Sequence, residues 1–317
     1  MKYEDVKKLS GYNDFKGFET DLYMPNEIFD DLKKIQFKST SHLAFSYSYI
    51  YLITWFYRYA KYGQIYVNVK MIKEILGYKP NYEKIDYIIK KDGILDQINY
   101  TLTTKDYPLT WEFKEGINLD IEFCLLSDLD EIVRLDEVKR RGRNTKIKYP
   151  VKHFHRDKES FECGDLDGIF YDISNTHMID FQVFLFCMSN KELGCTGFYL
   201  YCYLKKMNDK YGEGYDVPLP NLAYETGIKP RTLDKYIDVL KKFRMINCIY
   251  NQEYYVAGLS KEERKANTYI TNEYVAFSDE VVPIMKMRSM TLEDYEKKKL
   301  ESVVIEENVN DNLPLNF

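Results

Sequence analysis

The chain has 317 residues, 45% of them hydrophobic and 16% aromatic, with a net charge of −5; at about 100–200 residues per domain that is room for two units with real cores. No apolar run approaches the roughly 18 residues of a spanning helix, and the opening MKYEDVKKLSGYNDF lacks the apolar stretch of a secretion signal. The six cysteines (Cys124, Cys163, Cys187, Cys195, Cys202, Cys248) form no C-x-x-C pair and keep no regular spacing, so they read as free thiols filling the cores of a cytoplasmic protein.

Residues 1–40 read as an extension packed on the next domain, with a helix predicted over 26–35, Asn26 as its cap and Glu27, Asp30 and Asp31 at its positive end. Residues 45–62, FSYSYIYLITWFYRYAKY, are apolar nearly all round and predict a central helix. A strand over 64–67, a helix over 69–76 and Gly77 come next. In the segment GYKPNYEKIDYIIKKDGILD, Pro80 sits where a helix would begin. Strands over 94–104 and 109–113 flank Lys105-Asp106 as a wing, and a further strand is predicted over 117–126.

A helix is predicted over 127–138 with Ser127 as its cap. The charge then changes sign: residues 139–158 hold nine cations against the single Asp157, a local +8. A solvated linker accounts for such a run, but phosphates respond to a local patch and not to the overall sum. Arg140, Arg141, Arg143, Lys146 and Lys148 are therefore candidate phosphate contacts. Arg141-Gly142-Arg143 is similar to the core of an A·T-hook, without its flanking prolines.

The second half opens near Asp172 and carries its own aromatic helix, FYLYCYLKKMNDKYG, then a strand edge over 216–219. Leu222-Ala223 begin a short helix that halts at Gly227, and Pro230 suits the first position of the next. Leu233, Tyr236/Ile237, Leu240 and Phe243 then recur at helical spacing. The opposite side carries Arg231, Thr232, Lys235, Lys241 and Lys242. A β-rich run over 246–256 can form a hairpin, 259–265 is a charged insertion, and 267–277 is the returning strand. Helix, turn, helix and wing in this order make a DNA-reading module. Lys229, Arg231, Thr232, Lys235 and Tyr236 are its candidate contacts, although Tyr236 can equally face the core.

The two halves share a grammar. Gly77, Lys79 and Pro80 match Gly227, Lys229 and Pro230 at an offset of 150, and Lys61-Tyr62-Gly63 closes the first aromatic helix as Lys210-Tyr211-Gly212 closes the second. A period of that length reads as a domain duplication. The counterparts in the first copy are Lys79, Asn81, Lys84 and Tyr87, with Glu83 and Asp86 weakening it as a phosphate binder.

Little else points to chemistry. There is no G-x-x-x-x-G-K-[ST] loop and no G-x-G-x-x-G after a strand, and no carboxylate pair reads as acid and base, so no enzyme and no cofactor or metal is expected. His153-Phe154-His155 has the histidine–hydrophobic–histidine spelling of rolling-circle nucleases, which nick DNA with a metal, but it lies in a charged stretch where that motif needs a buried strand. Cys163 completes no zinc spacing, and His42 and His177 stand alone as structural residues. The C-terminal NLPLNF resembles the motif by which bacterial replication proteins bind the sliding clamp: Leu313, Leu315 and Phe317 match its apolar anchors, with Asn312 in place of glutamine.

The two GxKP-helix segments and the basic bridge between them resemble the tandem winged-helix replication initiators of plasmids and phages of low-GC bacteria. The likeness covers residues 41–278. It implies an α+β, helix-dominated fold: an N-terminal extension (1–40), a first winged-helix domain (41–126), a helix and basic linker (127–165), a second winged-helix domain (166–278), and a C-terminal helix with a flexible acidic tail (279–317). It further implies binding of repeated or A·T-rich double-stranded DNA, recruitment of the host clamp or helicase loader, and a homodimer among the forms to expect. A transcriptional regulator and a winged-helix protein scaffold are the alternatives.

Overall fold

The computed structural model describes residues 1–13, 19–113, 121–142, 145–260 and 262–311, with side chains as far as 301. Arg143, part of the strand expected over 117–126, and the Leu313, Leu315 and Phe317 motif lie outside the described residues. The fold is mixed α and β, dominated by helix and completed by small sheets. Among the described residues no helix is long and apolar enough to cross a membrane.

Two aromatic helices, Thr40–Arg58 and Gly194–Tyr211, cross at the centre. Residues 42–57 of the first are all buried, which is why its sequence is apolar on every side. The rings interlock: Tyr47 meets Phe198 and Tyr199 at 5.8 and 5.6 Å, Tyr51 meets Phe198 at 5.0 Å, and Trp55 stacks on Phe181 at 3.6 Å. Such tilted and offset pairs add about 0.5–1.5 kcal/mol each beyond the area they bury. A buried hydroxyl is costly unless bonded, and Tyr47 meets His177 Nε2 at 2.8 Å, while Tyr51 donates to Ile179 O at 2.9 Å and Tyr201 to Asn272 O at 2.8 Å. The first two of these bonds join the two halves, and one continuous core draws on both.

The N-terminal extension is woven into both halves. Strand Asp21–Pro25 pairs antiparallel with Thr176–Asp180, at the opening of the second half. Glu19 makes a fully buried ion pair with Lys61 of the first half at 2.6 Å. Helix Ile28–Lys34 comes next, but Asn26 does not cap it: its side-chain amide donates to Asn175 and its oxygen meets His177 Nδ1 at 3.0 Å.

In the second half, helix Gly194–Tyr211 leads into strand Tyr215–Val217, helices Leu219–Thr226 and Pro230–Lys242, and strands Ile246–Ile249 and Asn267–Thr271. Asn267–Thr271 is central, antiparallel to both Tyr215–Val217 and Ile246–Ile249. The hairpin expected within 246–256 therefore does not form. Strand Tyr254–Val256 instead pairs parallel with Arg288–Met290, brought back by the C-terminal segment.

The first half is less regular. After Thr40–Arg58 come helix Val69–Ile75, a 3-10 turn Glu83–Ile85, a single helical turn Asp86–Ile89 and strand Thr101–Thr104. The residues expected as a strand at 64–67 have no ladder, and 94–97 is helical. Thr101–Thr104 pairs with Ile147–Pro150, not with Pro108–Phe113, which pairs with Ile121–Leu125. Arg58 holds that outlying hairpin, its guanidinium 5.3 Å from the ring centres of both Trp111 and Phe113.

Among the described residues, the basic stretch 139–158 is built into regular structure. It closes helix Glu131–Arg141, supplies strand Ile147–Pro150 and turns through Val151–Phe154. Ile147, Val151 and Phe154 are buried between its cations. The helix expected to be capped by Ser127 begins later, after a 3-10 turn at Leu126–Asp128.

Candidate nucleic-acid interface

The turn between Leu219–Thr226 and Pro230–Lys242 is built from its closing residues. Gly227 takes φ +67, which a side chain would strain. Thr226 O, an orphan carbonyl at the helix end, accepts from the hydroxyl of Tyr199 on the aromatic helix at 2.9 Å, while Thr226 Oγ1 donates to Leu222 O at 2.7 Å. Ile228 is buried beneath the turn. Leu233, Ile237, Val239 and Leu240 then bury one face of the next helix, with Phe243 beyond it.

This anchoring turns the other face outward. Lys229, Arg231 and Lys235 are exposed and Thr232 is half-buried at the N-terminal end, where the helix dipole also favours anions. Tyr236 is partly buried against the core, with the Lys235 ammonium 5.5 Å from its ring. The cationic character fades along the helix: Lys241 is bonded to Asp238 at 2.8 Å and to Tyr250 at 3.2 Å. The C-terminal segment crosses this end, where Val282 N donates to Lys242 O and Ser278 N to Phe243 O.

In the first half Lys79, Asn81 and Lys84 are also exposed, but they stand on a turn and a short 3-10 segment instead of a long helix. Tyr87 is half-buried, its hydroxyl 2.9 Å from His42 Nδ1. Asp86 is paired with Lys73 at 2.6 Å. The segment stops early because the chain folds back at Gly93, where a methyl group would lie 2.8 Å from Ile88 O and 2.9 Å from Tyr87 O.

The two turns are neighbours, and each meets the opening of the other half's aromatic helix. Cys195 Sγ donates to Leu76 O at 3.4 Å, next to Gly77. A methyl group on Gly227 would lie 3.2 Å from Leu43 Cδ1. Tyr78 and Tyr236 also approach: burial chiefly raises the Tyr78 phenol above its ordinary range, with Cys195, Tyr82 and Tyr236 adding to it. Sequence reasoning missed this reciprocity, since no local pattern encodes a contact between segments so far apart.

Comparison with known proteins finds no family model, no curated protein and no solved structure that matches the chain. The reading of this surface rests on its own residues.

The basic stretch contributes less to the surface than its charge predicts. Lys148 is buried, and its ammonium donates to Asp96 at 2.5 Å and to Lys90 O at 3.1 Å, so it is not available to a phosphate. Arg141 is mostly covered, bonded to Glu137 at 2.7 Å and to Ile65 O at 3.0 Å. Arg140 is exposed but shares the Glu137 carboxylate at 2.8 Å. Lys146 remains exposed.

His153 and His155 do not converge. His153 meets Tyr23 O at 3.2 Å, while His155 meets Asp165 O at 2.8 Å and Tyr149 at 3.3 Å. They stand on and just after a short helical turn, not on the strand the nuclease motif requires. Among the described residues no three His, Cys, Asp or Glu side chains are grouped to hold a metal ion.

Proposed function

We propose that the chain is a double-stranded DNA-binding protein with two winged-helix units, the second of which supplies most of the sequence reading. The observation that carries this is the order helix, strand, helix, turn, helix, strand, strand in the second half, with the last strand central in its three-stranded sheet. That order, apart from the added strand Tyr254–Val256, supports a winged-helix reading, and the N-terminal turn of Pro230–Lys242 faces outward with Lys229, Arg231 and Lys235 exposed. The first half is a degenerate copy: its aromatic helix packs on the returning strand Ile147–Pro150 as Gly194–Tyr211 packs on Asn267–Thr271.

In this reading the protein acts in the cytoplasm as a plasmid or phage replication initiator. It marks repeated or A·T-rich origin DNA by binding energy and without a cofactor, and recruits replication proteins of the host, the Leu313, Leu315 and Phe317 motif serving as a clamp ligand. The test is a gel-shift titration of the full chain against duplexes tiled across the DNA flanking its gene, together with replication of a plasmid carrying the bound segment. Binding with plasmid maintenance is expected. Site-specific binding without maintenance would replace the initiator by a transcriptional regulator, and no duplex bound at low salt would overturn the DNA reading.

A further inference from the structure

We propose that residues 33–38, the end of helix Ile28–Lys34 and the turn leading from it to the first aromatic helix, form a third DNA contact lying on the sugar–phosphate backbone between the two reading elements, with Lys33 and Lys38 as its phosphate ligands. The inference rests on the DNA reading above and assigns a role to the N-terminal extension, which that reading leaves unused.

The turn touches both helix-turn-helix elements. At one end the Lys33 ammonium lies 4.5 Å from the centre of the Tyr224 ring, on the helix that precedes the second turn. Tyr224 itself is 76% exposed, and Lys33 Cγ would lie 3.5 Å from a methyl group on Gly227. At the other end the Lys38 ammonium lies 4.6 Å from the centre of the Tyr87 ring, in the first reading element, and Lys38 N donates to the Tyr87 hydroxyl at 3.3 Å. The segment is thus a strap from one element to the other.

The charge on this strap is available. Among the described residues neither Lys33 nor Lys38 has a carboxylate within ion-pair distance, whereas Lys34 is taken up by Asp31 at 3.0 Å. Asp31 is held further by the Tyr100 hydroxyl at 2.9 Å, so the nearby acid is already engaged. Each ammonium is held against a tyrosine ring and is thereby already ordered, which lowers the cost of ordering it for a phosphate contact.

The strap is short: five residue steps reach at most about 17 Å, so its two lysines lie close together between the elements they touch.

The probe is a 30-base-pair mixed-sequence duplex, titrated by fluorescence anisotropy across a salt series with the full chain. Each phosphate contact contributes about 0.9 to the log–log salt slope. The Lys33→Ala/Lys38→Ala variant is expected to lose about 1.8 units of slope, with Lys33→Arg/Lys38→Arg restoring it. A Lys8→Ala/Lys297→Ala control, exposed elsewhere, is expected to keep the wild-type slope. A Lys33/Lys38 alanine variant with unchanged circular dichroism and unchanged slope would overturn the strap while leaving the DNA reading intact. Equal loss in the control would reduce the effect to general charge and overturn it as well. Absence of binding by the unaltered chain would overturn both proposals together.

Discussion

The two halves begin from the same words and end in different structures. After Gly227-Ile228-Lys229-Pro230 the apolar residues continue at helical spacing for three turns, and Pro230–Lys242 forms over a three-stranded sheet. After Gly77-Tyr78-Lys79-Pro80 they cluster at Ile85, Ile88 and Ile89, the chain folds back at Gly93, and the helix is reduced to a 3-10 turn and one helical turn. Strand Tyr215–Val217 has no ladder-forming counterpart at 64–67; there Tyr62, Val67, Lys146 and Ile147 help line a cleft of about 200 Å³. The two halves thus share the turn but not the long helix or the third strand. What they share is what the common core requires, because each turn packs against the other half's aromatic helix.

The sharpest way to break this comparison is at the reading elements. Arg231→Ala with Lys235→Ala should cost roughly 2–6 kcal/mol of specific binding, at about 1–3 kcal/mol for each good base contact. Lys79→Ala with Lys84→Ala should cost less. A gel-shift titration on the selected site measures both, and equal losses would make the halves equivalent readers.

Next in size is the buried pair that ties the extension to the first half. Lys61→Met leaves the Glu19 carboxylate buried without its 2.6 Å partner, and stranding such a charge costs about 3–5 kcal/mol. Urea unfolding reads the loss, and Lys61→Met with Glu19→Leu should recover much of it. Because the core is continuous, both halves should unfold in one transition. Separate transitions would divide the molecule into independent domains.

The turn glycines make a smaller and more discriminating pair. A side chain at left-handed φ costs about 1–2 kcal/mol. Gly227→Ala adds a contact of 3.2 Å with Leu43, whereas a methyl group on Gly77, at φ +81, meets nothing within 4 Å. Gly227→Ala is therefore expected to lower the urea midpoint more than Gly77→Ala.

The smallest effect per step is set by pH. Burial, opposed in part by the bond to Tyr23 O, holds His153 down to about 3 against its ordinary 6.5, and burial with help from Lys206 does the same for His177. Both are neutral when folded and take up protons on unfolding between those values. The stability they contribute is whole above pH 6.5 and is lost as the pH falls towards 3, with a slope that approaches about 1.4 kcal/mol per pH unit for each proton. His153→Gln should remove one proton's share from urea unfolding measured across that range.

The aromatic helices were legible as long apolar runs, and the second helix-turn-helix by its apolar spacing with Gly227 and Pro230 at the turn. Strand partners were not. Asp21–Pro25 and Thr176–Asp180 are five residues each and separated by half the chain, and nothing local in either names the other. In Lys146-Ile147-Lys148-Tyr149 the apolar residues recur with period two, a strand signal inside the basic stretch, but that alternation does not encode the burial of Lys148 against Asp96, a residue 52 positions away. The outward face of Pro230–Lys242 was legible in Arg231 and Lys235, whose side of the helix is set by the buried Leu233, Ile237 and Leu240. The strap at Lys33 and Lys38 was not, since its meaning comes only from the two turns it joins.

The central claim is that the chain reads duplex DNA with two unequal elements on one face. Selection of bound duplexes from a random-sequence pool at low salt, using the full chain, tests it most directly. The account predicts a bipartite motif in which one sub-site carries most of the information and loses it in the Arg231→Ala/Lys235→Ala variant. A pool that stays random after selection, or a motif unchanged in that variant, would contradict it.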